Sequence, residues 1–162
     1  EYFDIELSQD MQAEDFMQSI NDALPLNMSI NECMNIADGE PALMKIINSA
    51  SYRFCIEKTH IDLERIKTEI LNSKSIIIKS KGKKKGIDKD LRPGIYKMTV
   101  HKCQQFDIME IWSSIGTQLN IRYDELLAAL LLYGLGRENI IEIYRSGNYI
   151  KKGAKYFNPM KR

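Results

Sequence analysis

The stretch KSKGKKKGIDKDLRPG, residues 79–94, sets Lys81, Lys83, Lys84 and Lys85 around glycines, where each ammonium could neutralise a phosphate in a sequence-blind, salt-sensitive way. Arg92, ahead of Pro93, offers a planar fork of donors that could position a phosphate or pair with Asp88 or Asp90. A second basic stretch, YRSGNYIKKGAKYFNPMKR, interleaves Tyr144, Tyr149, Tyr156 and Phe157 with Arg145, Lys151, Lys152 and Lys155. Aromatic faces stack on unpaired bases while cations follow the backbone, a combination suited to single-stranded or looped RNA. The plainer alternative for both stretches is solvated charge on a loop and a disordered terminus.

Charge is segregated along the chain although its total is only +1. Nine basic residues stand against Asp88 and Asp90 between Lys79 and Lys102, net +7, and six against none between Arg145 and Arg162, net +6. The remaining 120 residues then carry −12. Such a dipolar distribution speaks to partners rather than to fold.

Other chemistry finds little support. Asp88 and Asp90 would face one way on a strand and could serve a metal or an acid/base pair, but the surrounding lysines explain them as a turn with local ion pairs. Gly82 and Gly86 are too close for a P-loop, and Gly134-Leu135-Gly136 follows a helical pattern, so it reads as a helix cap. Ser113-Ser114 has no histidine nearby in sequence, and His60 and His101 stand apart. Cys33, Cys55 and Cys103 lie 22 and 48 residues apart, which suits buried thiols in a reducing compartment and not a framework, a zinc site or a cluster. These patterns predict a non-enzymatic chain with no cofactor of its own. The longest apolar run, Leu126 to Tyr133, is far short of the ~20 residues that cross a bilayer, so a cytoplasmic protein is expected.

The elements that would position these residues fall into two parts. Glu1–Leu7 alternates as a strand, Ala13, Phe16, Met17, Ile20 and Leu24 recur at helical spacing, and Met28–Met34 reads as a second strand. A short helix after Gly39-Glu40-Pro41 connects this β-α-β half, residues 1–50, to a second domain over residues 51–150. There Tyr52, Phe54 and Ile56 predict a strand, 60–72 a helix with Leu63, Ile66 and Ile70 inward, and 75–79 and 96–100 two strands. Phe106–Trp112 predicts a further strand with a bulge or change of facing at Ile108-Met109, followed by a helix from Asn120 or Asp124 and a last strand over 139–144. Residues 151–162 form a basic tail. The fold expected is α+β: a ferredoxin-like split βαβ unit in the order β-α-β-β-α-β, antiparallel, with helices on one face.

The segments EYFDIEL, SASYRFCIE, KKKGIDKDLRPGIY, NIRYDELLAALL and IYRSGNYI together resemble the carboxyl-terminal two-thirds of the bacterial radical SAM-linked protein family, over nearly the whole chain. Asp90-Leu91-Arg92-Pro93 is the most distinctive of these motifs. Members are encoded beside, or fused to, a radical SAM protein, and the resemblance implies such a partner without implying a reaction. Members also carry an upstream stretch of Gly-Phe-Asn-Pro-His-Pro type, so the resemblance, like the strand pattern starting at Glu1, implies a fragment. Two functions are therefore expected of the same chain. One is an accessory domain binding RNA or a ribonucleoprotein for a radical SAM partner. The other is a protein-interaction module that docks that enzyme through an uncovered sheet face or the acidic first half, with Glu14, Asp15, Asp22 and Glu32 exposed.

Overall fold

A computed structural model describes residues 1–58, 60–82 and 85–161. Its centre is a curled antiparallel sheet of five strands in the order β4-β5-β1-β6-β7, where β1 is Ser49–Glu57, β4 Ile95–Lys102, β5 Phe106–Ser114, β6 Ile140–Lys152 and β7 Lys155–Phe157. Strands β2, Ile77–Lys79, and β3, Asp88–Asp90, pair separately as a hairpin. The helices are α1, Ala13–Ala23; α2, Leu43–Ile46; α3, Leu63–Asn72; and α4, Tyr123–Leu132. The molecule is thus mixed α+β, as the alternation of periods predicts.

The period of two in β1 divides the sheet into a face that carries the hydrophobic core and a face bare of it. Ala50, Tyr52, Phe54 and Ile56 point to one side, opposite Ile111 and Met109 of β5, and join Leu63, Ile66 and Ile70 of α3 with Leu126, Leu127 and Leu130 of α4 in one core. Helix α3 starts where the Asp62 carboxylate accepts the Arg65 backbone N–H (3.0 Å), a side-chain cap. Helix α4 ends at Gly134, whose φ of +94° admits the left-handed turn the sequence assigns to it.

Several expectations change. The segments 1–7 and 28–34 belong to no sheet, because among the described residues no backbone hydrogen bonds pair them with a neighbouring strand, so the first part is not a β-α-β half; α1 buries no residue. Ile77–Lys79 pairs with Asp88–Asp90 rather than joining the main sheet, because the bonds from Ser80 N–H to the Ile87 carbonyl and from Gly86 N–H to the Ser80 carbonyl bring the two strands side by side. β5 keeps an unbroken register with β1 through Ile108 and Met109, so no bulge lies there; the irregularities fall at Ser51/Tyr52 and Cys55/Ile56 against β6, and at Ile95/Lys97 against β5. Such bulges add local twist and help the sheet curl. Ala50, assigned by the sequence to the first half, lies in β1. Finally, the last strand runs on to Lys152 and turns through Gly153-Ala154 into β7, so the basic tail is largely a hairpin. Gly153, at φ +59°, suits the first position of such a two-residue turn.

Candidate nucleic-acid interface

The second face of the sheet holds none of the hydrophobic core, yet Ser51, Cys55 and Glu110 are buried on it, and a short 3-10 helix at Pro159–Lys161 lies against β6. Register places Lys97, Trp112, Ser51 and Gly147 in one row across this face, and Thr99, Glu110, Arg53 and Tyr144 in the next. Trp112 and Tyr149 stand on strands either side of β1, yet their ring centroids are 4.5 Å apart. They meet because β1 places only Ser49 and Ser51 between them, and because Gly147 leaves room for the Tyr149 ring: a Cβ there would come within 2.6 Å of the Tyr149 hydroxyl oxygen. Tyr156 of β7 adds a third ring, 4.5 Å from Trp112 and 6.4 Å from Tyr149. All three are half-buried, and burial raises the phenol pKa of Tyr149 and of Tyr156.

Cations border this aromatic group. The Lys151 ammonium lies 4.5 Å from the Tyr96 ring centroid, bridging β6 to β4 across the curl, and Lys152, facing the other way, sits 6.0 Å from that of Phe157. Asn48 fixes the height of Lys151: its amide donates to the Lys151 carbonyl (3.1 Å) and its Oδ1 accepts the Lys151 N–H (2.7 Å), extending the β1 pairing beyond the strand. Lys97 is exposed in the Trp112 row.

Beside the rings lies a polar cluster centred on Glu110, buried at 9% exposure. Its Oε1 accepts from Ser51 Oγ (2.9 Å), Arg53 Nε (3.1 Å) and Ser146 Oγ (3.2 Å), while His101 Nε2 lies 3.9 Å from Oε2. Burial alone would raise this carboxyl, but the bonds from Ser51, Arg53 and Ser146 outweigh it and hold the pKa below the usual value. Ser51 and Ser146 also share a short hydroxyl–hydroxyl contact.

The basic loop belongs to the other layer. Glu125, fully buried at the start of α4, accepts from Lys89 Nζ (2.5 Å), from the Lys81 backbone N–H (3.1 Å) and from the Arg122 N–H (3.0 Å), so it ties the β2–β3 hairpin to that helix. Those bonds offset its burial and keep it ionised below the usual carboxylate range. Lys81 and Lys85 are exposed on this hairpin, and Lys79 pairs with Asp88 (2.6 Å). Lys83 and Lys84 lie outside the described residues.

Of the residues the sequence singles out, Tyr149, Lys151 and Tyr156 come together, whereas Lys152 lies over the Phe157 ring on the other face of the β6–β7 hairpin. Arg145 turns away, bonded to Glu1 (3.3 Å) and Asn148 (3.2 Å) and 5.7 Å from the Tyr52 ring centroid. Arg92 spends its fork on main-chain carbonyls, Nη2 and Nε on Leu71 (2.7 and 3.2 Å) and Nη1 on Ile95 (2.9 Å), which staples the end of α3 to the start of β4. Trp112, Tyr96 and Glu110 are absent from the sequence-based set. Trp112 and Glu110 share a parity along β5 that puts them on the side opposite Met109 and Ile111, and that parity was the signal available for them.

Among the described residues no group of three or more His, Cys, Asp and Glu could hold a metal ion, and no helix is long and apolar enough to cross a membrane. No curated protein and no solved structure matches the chain. One family does: residues 1–123 match DUF2344, described as an uncharacterized protein conserved in bacteria, a stretch that takes in β1, α3, both strands of the basic hairpin, β4 and β5. Spanning more than half of its length, that match means that the chain belongs to the DUF2344 family.

Proposed function

We propose that this chain is a non-enzymatic, cytoplasmic accessory domain that binds single-stranded or looped RNA, or a ribonucleoprotein, across the bare face of its sheet on behalf of a radical SAM partner. The observation that carries the reading is the group of Trp112, Tyr149 and Tyr156 on the sheet face opposite the hydrophobic core, bordered by Lys151 and Lys97. Rings of this kind are stacking platforms for bases, and lysines beside them follow the phosphates. The underlying fold is read as a ferredoxin-like split βαβ unit: β1 and β4 joined through α3, β5 and β6 through α4, and the four strands ordered β4-β5-β1-β6 support it.

The test is a fluorescence-anisotropy titration with a single-stranded oligoribonucleotide and with a structured RNA, repeated across salt concentrations. Binding should weaken with salt, and neutralising Lys151 and Lys152 should flatten the log–log slope by about 0.7 for each phosphate they would otherwise neutralise. Tyr156→Ala should cost about 1–3 kcal/mol of binding, the usual worth of one base–aromatic stack. Absence of binding at low salt would reject the reading. Neutralising Lys81 and Lys85 tests the loop separately, because that hairpin is fastened to α4.

A second reading, a protein-docking module for the radical SAM enzyme, draws on a different region. Residues 1–48 hold ten acidic residues against Lys45, and Phe3, Ile5, Leu7, Met11, Met34 and Ile36 are exposed there.

A further inference from the structure

The two segments whose alternation predicts strands, Glu1–Leu7 and Met28–Met34, flank a cleft of about 1040 Å³. That volume lies at the top of the ~300–1,000 Å³ range of small-molecule sites and suits an extended peptide. Phe3, Ile5, Leu7, Ile30, Met34 and Ile36 line it, and all but Ile30 are at least 41% exposed. Glu1, Glu6, Asp10, Glu32 and Asp38 are also in the lining, with Arg145 the basic residue among them.

Among the described residues no backbone–backbone hydrogen bond holds Ile5–Leu7 or Asn31–Ile36. Ile30 shows what this backbone seeks: its N–H and carbonyl are both met by the Asn21 side chain of α1, at 2.7 and 3.1 Å. Backbone whose donors and acceptors are not taken up by other backbone groups can serve as a template for strand addition, in which main-chain bonds give affinity and alternate side chains give specificity.

We infer that this cleft is a strand-docking site, and that its occupant is an extended segment of a partner protein in which apolar residues alternate with basic ones. The apolar side chains would cover Phe3, Ile5, Met34 and Ile36, the basic ones would face the acidic residues, and the main chain would pair with one or both flanking segments. The commitment to a basic strand rests on charge complementarity, and the cleft, which meets the sheet face proposed for RNA at Ser146 and Gly147, deepens the docking reading of residues 1–48.

The probe is a synthetic peptide of alternating valine and lysine, labelled for anisotropy and titrated into the intact chain, with amide hydrogen exchange read in parallel. Saturable binding is expected, with new protection confined to amides of Ile5–Leu7 and Asn31–Ile36. A valine–glutamate peptide should bind at least about tenfold more weakly through like-charge opposition. A valine–lysine peptide N-methylated on alternate residues should lose binding, since it cannot donate to a strand. Phe3→Asp and Ile36→Asp, at exposed positions that leave the core intact, should each weaken binding. Failure of the valine–lysine peptide to bind overturns the inference, as does binding without amide protection. Light scattering that shows a dimer protecting the same amides and unaffected by peptide would assign the cleft to a second copy and overturn it as well.

Discussion

A single absent side chain, at Gly147, decides whether three rings can form one surface. A Cβ there would come within 2.6 Å of the Tyr149 hydroxyl oxygen and 2.8 Å of its Cζ, so the ring must swing away from Trp112. Because the obstructed atoms lie at the end of a side chain on the bare face, Gly147→Ala should cost little stability, below about 1 kcal/mol. Its effect should appear in the site: Trp112 is the only tryptophan in the chain, so intrinsic emission should shift toward that of a more solvated indole, and oligonucleotide affinity should fall with it. An unchanged spectrum would mean that Tyr149 does not shape the surface around Trp112.

Arg92 shows how far an element can redirect a residue that looks functional in sequence. As a sequence, DLRPG offers a guanidinium beside a basic loop; in the fold, the end of α3 and the start of β4 claim its donors through the Leu71 and Ile95 carbonyls. Arg92→Lys keeps the charge but cannot span both carbonyls, and should lower unfolding stability by about 1–3 kcal/mol in denaturant titrations while leaving RNA affinity unchanged. A loss of RNA affinity with full stability would return Arg92 to the phosphate-binding set.

Elements with strong periods were the legible ones. Leu63, Ile66 and Ile70, the alternation of Tyr52, Phe54 and Ile56, and the glycine after α4 each appear where the pattern puts them. Glu1–Leu7 alternates just as well, yet it has no strand beside it, and a period of two reports a preference for extended backbone without supplying a partner. The aromatic group was half visible for a related reason. Tyr149 and Tyr156 are near in sequence to the basic tail, whereas Trp112 reaches them only because β1 lies between β5 and β6 and shows serine there.

For the molecule as a whole, three buried carboxylates set the response to acid. Asp107, Glu110 and Glu125 are all buried, and in each burial is outweighed by hydrogen bonds from Lys58 and Lys102, from Ser51, Arg53 and Ser146, or from Lys89 and backbone N–H groups. Their folded pKa values therefore lie below the unfolded ones of about 4. The stability they contribute is fully present above that value and is lost as pH falls through the depressed folded values. Thermal unfolding should accordingly show a near-constant Tm from pH 7 to about 5 and a steep decline below about 4. In Glu110→Gln the decline should be shallower. A Tm that rises on acidification would contradict the ionised state assigned to all three.

The position of β1 has a further consequence, for the order in which the chain can become folded. This central strand is synthesised first among the five, finds β5 about fifty residues later, and gains its other neighbour only with residues 140–152, beyond the family match that ends at 123. Until then one edge of the most buried strand of the sheet is open, in a topology whose contacts are distant along the chain and so close slowly. A chain ending near residue 123 would hold that edge open permanently, as a template for aggregation. The unit that folds is thus longer than the unit that the family match delimits, and the late-arriving β6 both closes the sheet and delivers Tyr149 and Lys151 to its surface.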